Sequence, residues 1–295
     1  MMVHTTLTTT AAITDEVFKA KPDSIREVSG GSINQAVRVG IGSSLYFIKW
    51  KMDAPPYFFA AEAHSLHILH EAGAIRVPEV ISVGEPNADR PAYLVLEWIE
   101  EAPPTPVFAA KFGAALAQLH RHTNDLYGLN LDDYVGEWSH PVAQSAHWLD
   151  FYRDQRLVPQ IARAQQLGRL PAKRAAMLDQ LVMHLDKIIG GVPSVPALLH
   201  GDLWGGNFLV AEDDRPVIFD PAVYYGDHEM ELAFTELFGG FPAGFYSAYR
   251  EAYPLEAGYE VRRPLYQLYH LLVHLNLFGE SYGSRVDAVC RYYVG

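Results

Sequence analysis

Residues 198–221 read LLHGDLWGGNFLVAEDDRPVIFDP, and the rest of the chain is organised around them. Four residues separate Asp202 from Asn207, and Asp220 closes the stretch after two short apolar runs, 208–210 and 217–219. Each run reads as a strand. The polar, turn-rich residues 211–216 between them predict a hairpin that returns Asp220 to the side of Asn207. Three oxygen-bearing side chains then converge.

Phosphoryl transfer needs such a set: one carboxylate to accept a hydroxyl proton, then an amide and a second carboxylate whose oxygens hold magnesium on nucleotide phosphates. The protein-kinase catalytic loop has the same Asp-x-x-x-x-Asn spacing, followed by a strand pair and a metal-binding Asp. Here Gly201 stands where kinases usually carry Arg, and Asp220-Pro221-Ala222 replaces Asp-Phe-Gly, so control by an activation loop is not expected. The stretch instead resembles the small-molecule branch, the aminoglycoside phosphotransferase-like kinases. Within that branch HGDLWGGN, with Trp204, followed by FDPAVYYGDHEMELA, is similar to the fructosamine (ketosamine) kinase family. Two other readings compete on this stretch alone: plain turn chemistry, since Asp and Asn favour loops, and a metal-dependent phosphoesterase built from His200, Asp202, Asp220, Asp227, His228 and Glu229.

Upstream residues separate these readings. A strand over 25–29 leads into Gly30, Gly31, Ser32 and Asn34, and a return strand follows over 36–39. Glycine lets backbone N–H groups approach phosphates where a side chain would clash, although Gly-Gly-Ser is also an ordinary hairpin loop. The β-rich run 45–49 then ends in Lys49, and a helix over 60–72 carries Glu62 in its first turns before Gly73 stops it. An ammonium buried beside phosphates needs a carboxylate to orient it, and Glu62 is the expected partner. The order glycine loop, lysine strand, glutamate helix is far more specific than any one member. A phosphoesterase has no use for it.

Two more strands, 80–83 and 92–97, precede Trp98-Ile99-Glu100 and the proline-rich residues 102–106, which read as a stiff hinge. In the resembling families backbone groups near Glu97 and Ile99 bind the adenine. From residue 107 the period changes from two to about 3.6, with Phe108, Phe112, Ala115, Leu116 and Leu119 on one helical face. Further helices are expected over 146–165, 171–189, 230–238, 241–253 and 261–279, besides a short one near 15–21. The irregular stretch 126–141 is long enough to cover a substrate. Asp227 is placed to cap the helix after it, with a contribution to the acceptor wall as the other reading. His270 and His274 lie one turn apart on an apolar helix with no nearby Glu, the pattern of core or interface histidines rather than a metal pair.

Composition narrows the partners. With 295 residues, 49% of them apolar, the chain can bury a real core. A net charge of −12 argues against nucleic acid, because backbone binding is driven by Lys and Arg. It suits a cationic sugar-amine acceptor and a solvated acidic surface equally. The single cysteine, Cys290, cannot form an internal disulfide, which fits a reducing compartment. The N-terminal MMVHTTLTTTAAI has no basic n-region and no apolar h-region, and the apolar stretch 265–278 is broken by Gln267, His270, His274 and Asn276. The expectation is a cytoplasmic protein with no membrane partner.

The sequence therefore predicts an α+β, two-lobed kinase-like fold: residues 1–100 a nucleotide-binding lobe with an antiparallel sheet and one main helix, and 101–295 a mainly helical catalytic and substrate-binding lobe. The resemblance covers nearly the whole chain and implies an ATP- and Mg2+-dependent kinase acting on the 3-hydroxyl of a ketosamine, free or borne on a protein amine. It implies Asp202 as the base, Asn207 and Asp220 at magnesium, and Lys49 on the phosphates with Glu62 behind it. Gly30, Gly31, Ser32 and Asn34 would lie over the nucleotide, with Trp204, His200 and Asp227 toward the acceptor. An aminoglycoside or amino-alcohol phosphotransferase of the same fold is the alternative, and a nucleotide-binding pseudokinase a more distant one.

Overall fold

A computed structural model describes residues 2–28, 34–129, 133–135, 138–140 and 143–295. The first half is built on a five-stranded antiparallel sheet in the order β1-β2-β3-β5-β4. Its strands are β1 (Ser24–Glu27), β2 (Gln35–Ile41), β3 (Ser44–Lys51), β4 (Val80–Gly84) and β5 (Ala92–Glu97). Successive side chains of a strand point to opposite faces, and β3 obeys this alternation. Ile48 and Trp50 pack with Val37, Val39, Tyr93 and Val95 beneath helix α1 (Met2–Phe18), while Phe47 turns to the other face, where α2 (Phe58–Ala72) lies. Lys49 shares the face of Phe47.

Helix α1 is longer than the short helix expected near 15–21, starting well upstream of it and ending within it, at Phe18. The run of threonines argues against a helix by propensity, but Ile13 is fully buried under the sheet and Val17 and Phe18 pack beside it. Tertiary burial supplies what propensity lacks. Thr10 turns its hydroxyl back onto the carbonyl of Thr6 at 2.7 Å, so the extra polar group is satisfied inside the helix.

Helix α2 ends at Gly73 in the left-handed region, φ 64°, with its N–H donating to the carbonyls of Leu69 and His70. The chain leaving it runs alongside the catalytic hairpin: Ile218 N–H donates to Arg76 carbonyl at 3.0 Å. That bond ties the sheet to the part of the chain that carries Asp220. The proline-rich connection is pinned to the same hairpin, because Asp214 accepts from Thr105 N–H at 2.7 Å and from its hydroxyl at 2.6 Å.

The second half is helical. Helix α3 (Phe108–Leu119) buries Phe112 and Leu116 completely and packs on α9 (Ala243–Ala252). The approach is close at Gly113, where a Cβ would stand 2.1 Å from the Phe245 carbonyl oxygen. The helix expected over 146–165 is α4 (Trp148–Phe151), a π-helical turn (Tyr152–Leu157) and α5 (Val158–Gln166) in succession; the turn carries Arg156 over the Tyr224 ring at 3.9 Å. Next come α6 (Ala172–Met183) and α7 (Leu185–Ile189). Within 126–141, expected to be irregular, the described residues include a two-stranded hairpin, β6 (Asp133–Val135) with β7 (Trp138–His140).

Strands β8 (Ala197–Leu199) and β11 (Tyr224–Gly226) pair antiparallel, as do β9 (Phe208–Ala211) and β10 (Arg215–Ile218). Helix α8 (His228–Phe238) follows, then α9, then α10 (Tyr259–Phe278) and α11 (Gly283–Val294). Helix α10 runs through the core with Leu265, Tyr266, Leu268, Leu272 and Leu275 fully buried, each contributing roughly 1.5–3 kcal/mol. His270 and His274 belong to this packing: the ring of His270 stacks on Phe234 at 3.5 Å, and His274 bonds back to the His270 carbonyl. One apolar cluster joins α2 and β5 to the helices. Among the described residues no helix is long and apolar enough to cross a membrane.

Candidate active site

Strand register and helix placement bring Lys49 to Glu62. Lys49 Nζ stands 2.6 Å from Glu62 Oε2 and 2.7 Å from Asp220 Oδ1, with Lys49 itself only 4% exposed. Burial by itself would discharge the ammonium, but Asp220 and Glu62 overcome it and hold the lysine pKa above its ordinary value. Glu62 is pushed up to about 7 by burial, which together with the like charge of Asp220 outweighs the attraction of Lys49. Its Oε1 is buried and has no hydrogen-bond partner among the described residues.

The hairpin delivers Asp220 as the spacing predicts. Phe219 N–H donates to the Asn207 carbonyl at 3.1 Å, so the two ends of the hairpin meet. Asp220 adopts φ 55°, a left-handed conformation that costs a non-glycine residue about 1–3 kcal/mol and persists only where its surroundings impose it. Asn207, 5% exposed, donates from Nδ2 to the Asp202 carbonyl at 2.8 Å and to Asp202 Oδ2 at 3.1 Å. The side-chain nitrogen is thereby committed to Asp202. Oδ1 is a hard oxygen donor. The neighbouring Asp220 side chain, 47% exposed, supplies carboxylate oxygen. This pair fits magnesium, which takes one or two protein oxygens and completes its shell with water and phosphate.

His200, expected at the acceptor, is fully buried instead. Its Nδ1 accepts Asp202 N–H at 3.3 Å and its Nε2 donates to the Phe219 carbonyl at 3.0 Å. The ring spans the backbones leading to Asp202 and Asp220. Burial holds its pKa below the usual histidine value, consistent with the neutral tautomer those two bonds require. Gly201 must be glycine: its φ is 85°, and a Cβ would stand 1.8 Å from the Ala222 carbonyl oxygen. This contact explains why no arginine follows the histidine.

Asp227 is likewise turned inward, 2% exposed. Its Oδ1 accepts Glu229 N–H at 2.9 Å, capping α8, and Oδ2 accepts from the Tyr266 hydroxyl at 3.2 Å. The capping expectation matches this geometry and the acceptor-wall expectation does not. Trp204 is the aromatic that faces outward beside Asp202, 39% exposed, with its ring over Gly206, where a Cβ would meet it at 2.3 Å.

At the hinge, the Glu97 side chain pairs with Arg76, its N–H donates to the Glu79 carbonyl at 2.9 Å, and Ile99 is buried against Ala211 and Val217. Gly30, Gly31 and Ser32 lie outside the described residues. Asn34, at their edge, has a buried Oδ1 without a partner among the described residues.

Sequence reasoning overlooked Glu231. It is 3% exposed and accepts both backbone N–H groups that precede Asp202, from His200 at 3.0 Å and from Gly201 at 2.7 Å. A carboxylate directly before Leu232, Ala233 and Phe234 in the sequence is the one signal that pointed to it. A charge in such a setting requires partners.

The sequence matches the family model described as Fructosamine kinase over residues 2–294. A probable ketoamine kinase of Synechocystis sp. is 40% identical over 268 residues, spanning 90% of this chain and 88% of that protein. The protein-ribulosamine 3-kinase of Arabidopsis thaliana, named as chloroplastic, is 34% identical over 271 residues, 92% of this chain and 82% of that one. A solved structure of a candidate fructosamine-3-kinase from Haemophilus somnus is similar at a TM-score of 0.86 and 28% identity, covering 97% of this chain and 96% of its own. The aminoglycoside phosphotransferase APH(4)-Ia follows at a TM-score of 0.66 and 18% identity, covering 98% and 99%, a likeness of fold alone.

Proposed function

The chain belongs to the fructosamine kinase family, and on that premise we propose that it transfers the γ-phosphoryl group of ATP to the 3-hydroxyl of a ketosamine. The observation that carries this reading is the single ammonium of Lys49 held between Glu62 and Asp220, beside the Asp202–Asn207 hydrogen bond. A phosphoesterase would not need a lysine from a separate sheet. In this reading residues 1–100 hold the nucleotide and 101–295 the acceptor, in the cytoplasm.

Asp202 orients the acceptor hydroxyl and takes its proton as the oxygen bonds to the γ-phosphorus. The bond from that phosphorus to the β-bridging oxygen breaks, and ADP leaves with the electron pair. Asn207 and Asp220 would hold magnesium, which neutralises charge on the phosphates. Lys49 binds the phosphates, Glu62 orients Lys49, residues 30–34 lie over the nucleotide, and backbone near Glu97 and Ile99 takes the adenine. Most of the rate gain comes from positioning and charge neutralisation, since a largely dissociative transition state asks little of the base.

The printed names of the relatives, ribulosamine 3-kinase and fructosamine-3-kinase among them, support a sugar already joined to an amine as acceptor. Removing such adducts from proteins or metabolites is the role this chemistry suits. A coupled ADP-release assay across fructosamines, ribulosamines and aminoglycosides tests it. Turnover confined to aminoglycosides or amino alcohols would replace the ketosamine assignment, and ATP binding without turnover on any acceptor would leave a pseudokinase.

A further inference from the structure

We infer that the cavity between the end of α2, helix α3 and the start of β10 is a binding site for a small organic monoacid, its carboxylate on Arg215 and its apolar body on the cavity wall. The inference goes beyond phosphotransfer and does not depend on it. The cavity measures about 740 Å³. Sites for small ligands commonly enclose about 300–1,000 Å³, so a whole small molecule fits. None of Lys49, Glu62, Asp202, Asn207 and Asp220 lines it. Glu62 stands near the start of α2, whereas the cavity takes His70 and Gly73 from its other end, about 16 Å from Glu62 along the helix axis.

The charges around this cavity do not all pair. Arg76 and Glu97 form an ion pair on its wall, and Glu97 Oε2 also accepts Glu79 N–H at 3.3 Å. Arg215 lines the same cavity and, like Arg76, also lines a smaller one of about 230 Å³ beside Trp98 and Ile99, so the two guanidinium groups stand at the partition between them. Glu79 lines the larger cavity, and Glu100, Glu212 and Asp213 line the smaller. Among the described residues, none of these carboxylates reaches Arg215 within ion-pair distance. The Arg215 backbone is fixed on β10, opposite Ala211 of β9. A guanidinium stays charged at any working pH, and its planar fork matches the two oxygens of a carboxylate.

The remaining wall sets the body of the ligand. Ile75, Val77 and Pro216 are buried and Ala115 half-buried, and none of their side chains carries a polar atom. An apolar body laid on them removes its own surface and theirs from water. The unpaired charge sets the head. A monoacid meets Arg215 with one negative charge, whereas a dianion such as inorganic phosphate would set a second charge against Glu79 and Glu97. An uncharged aromatic would leave Arg215 without a partner.

Phenylacetate is the test ligand, titrated into isotope-labelled protein and followed through the backbone amide resonances, which report place and affinity together. The resonances of Gly73, Ala74 and Arg215 should move and saturate, a reading that needs no variant. Arg215→Gln, at an exposed position, should keep Tm and kcat while weakening binding about tenfold or more. Lys49→Ala should leave the affinity within about twofold. Benzyl alcohol, which has the ring without the charge, and acetate, which has the charge without the ring, should each bind at least about tenfold more weakly. Absence of saturation, equal binding by Arg215→Gln, or movement confined to residues around Lys49 and Asp202 would overturn the site. Tighter binding of inorganic phosphate or of benzyl alcohol than of phenylacetate would overturn the monoacid. A chain that phosphorylates no ketosamine and still binds phenylacetate in this way would keep the cavity and lose only the proposed function.

Discussion

Lys49 Nζ and Asp220 Oδ1 are 2.7 Å apart although they stand 171 positions apart in the chain. Glu62 holds the same ammonium at 2.6 Å, so one cation balances two carboxylates. Asp220 would hold magnesium in the proposed reaction, and Glu62 would keep Lys49 oriented toward the phosphates.

Asp220→Ala is therefore expected to abolish magnesium-dependent nucleotide binding, and Lys49→Ala to weaken ATP use strongly, since each removes charge compensation at the phosphates. Titration calorimetry with ATP, with and without magnesium, measures both. Undiminished cleavage of a phosphate ester by Lys49→Ala would favour the phosphoesterase.

Asp202 is proposed to act on the acceptor hydroxyl rather than on the nucleotide. Asp202→Asn should lose about 10²-fold or more in turnover, in the range of a general-base group, while the affinity for ATP barely changes. Intact turnover would remove Asp202 from its assigned role.

Trp204 offers an exposed face beside Asp202. An aromatic face can pack on the C–H side of a sugar and attract a cationic amine, worth about 0.5–2 kcal/mol for the cation alone. Trp204→Leu should keep its Tm and the KM for ATP while raising the KM for ketosamine roughly tenfold, the equivalent of about 1.4 kcal/mol. A loss of Tm with both substrates affected alike would show that the ring serves the loop over Gly206 and not the acceptor.

Asp227 makes a prediction about stability. Burial, aided by the like charge of Glu229, pushes its pKa up from 3.8 to about 7. The folded protein then binds this proton more tightly than the unfolded chain does. Its stabilising contribution is complete below the unfolded value and is lost as pH rises toward 7. Asp227→Asn, which cannot ionise, should flatten that part of the stability profile. Denaturant midpoints taken between pH 4 and pH 8 test it, and parallel profiles for the two proteins would contradict the assignment.

The hairpin after Asn207 was legible because its signals are local: two apolar runs around a polar turn, in register as Phe208 with Ile218 and Ala211 with Arg215. The order of Lys49, Glu62, the hinge prolines, Asp202, Asn207 and Asp220 was legible for the same reason, since each lies within a strand, helix or turn whose pattern stands by itself. Helix α1 was not, because threonine propensity points away from a helix that burial of Ile13 imposes.

Orientation belonged to the tertiary structure. His200 and Asp227 sit in the same motif as Asp202 and Trp204, and nothing in their spacing distinguishes a side chain facing the cleft from one facing the core. That choice was made by partners far away in sequence: the Phe219 carbonyl for His200, Tyr266 for Asp227 and, for the loop itself, Glu231. By itself the sequence determined which chemical groups the chain carries and in what order along regular elements, because helix and strand periods act over a few residues. Only the tertiary structure decided which of those groups are spent on holding the loop and which remain for chemistry, because satisfying a buried donor or charge depends on what the rest of the chain packs against it.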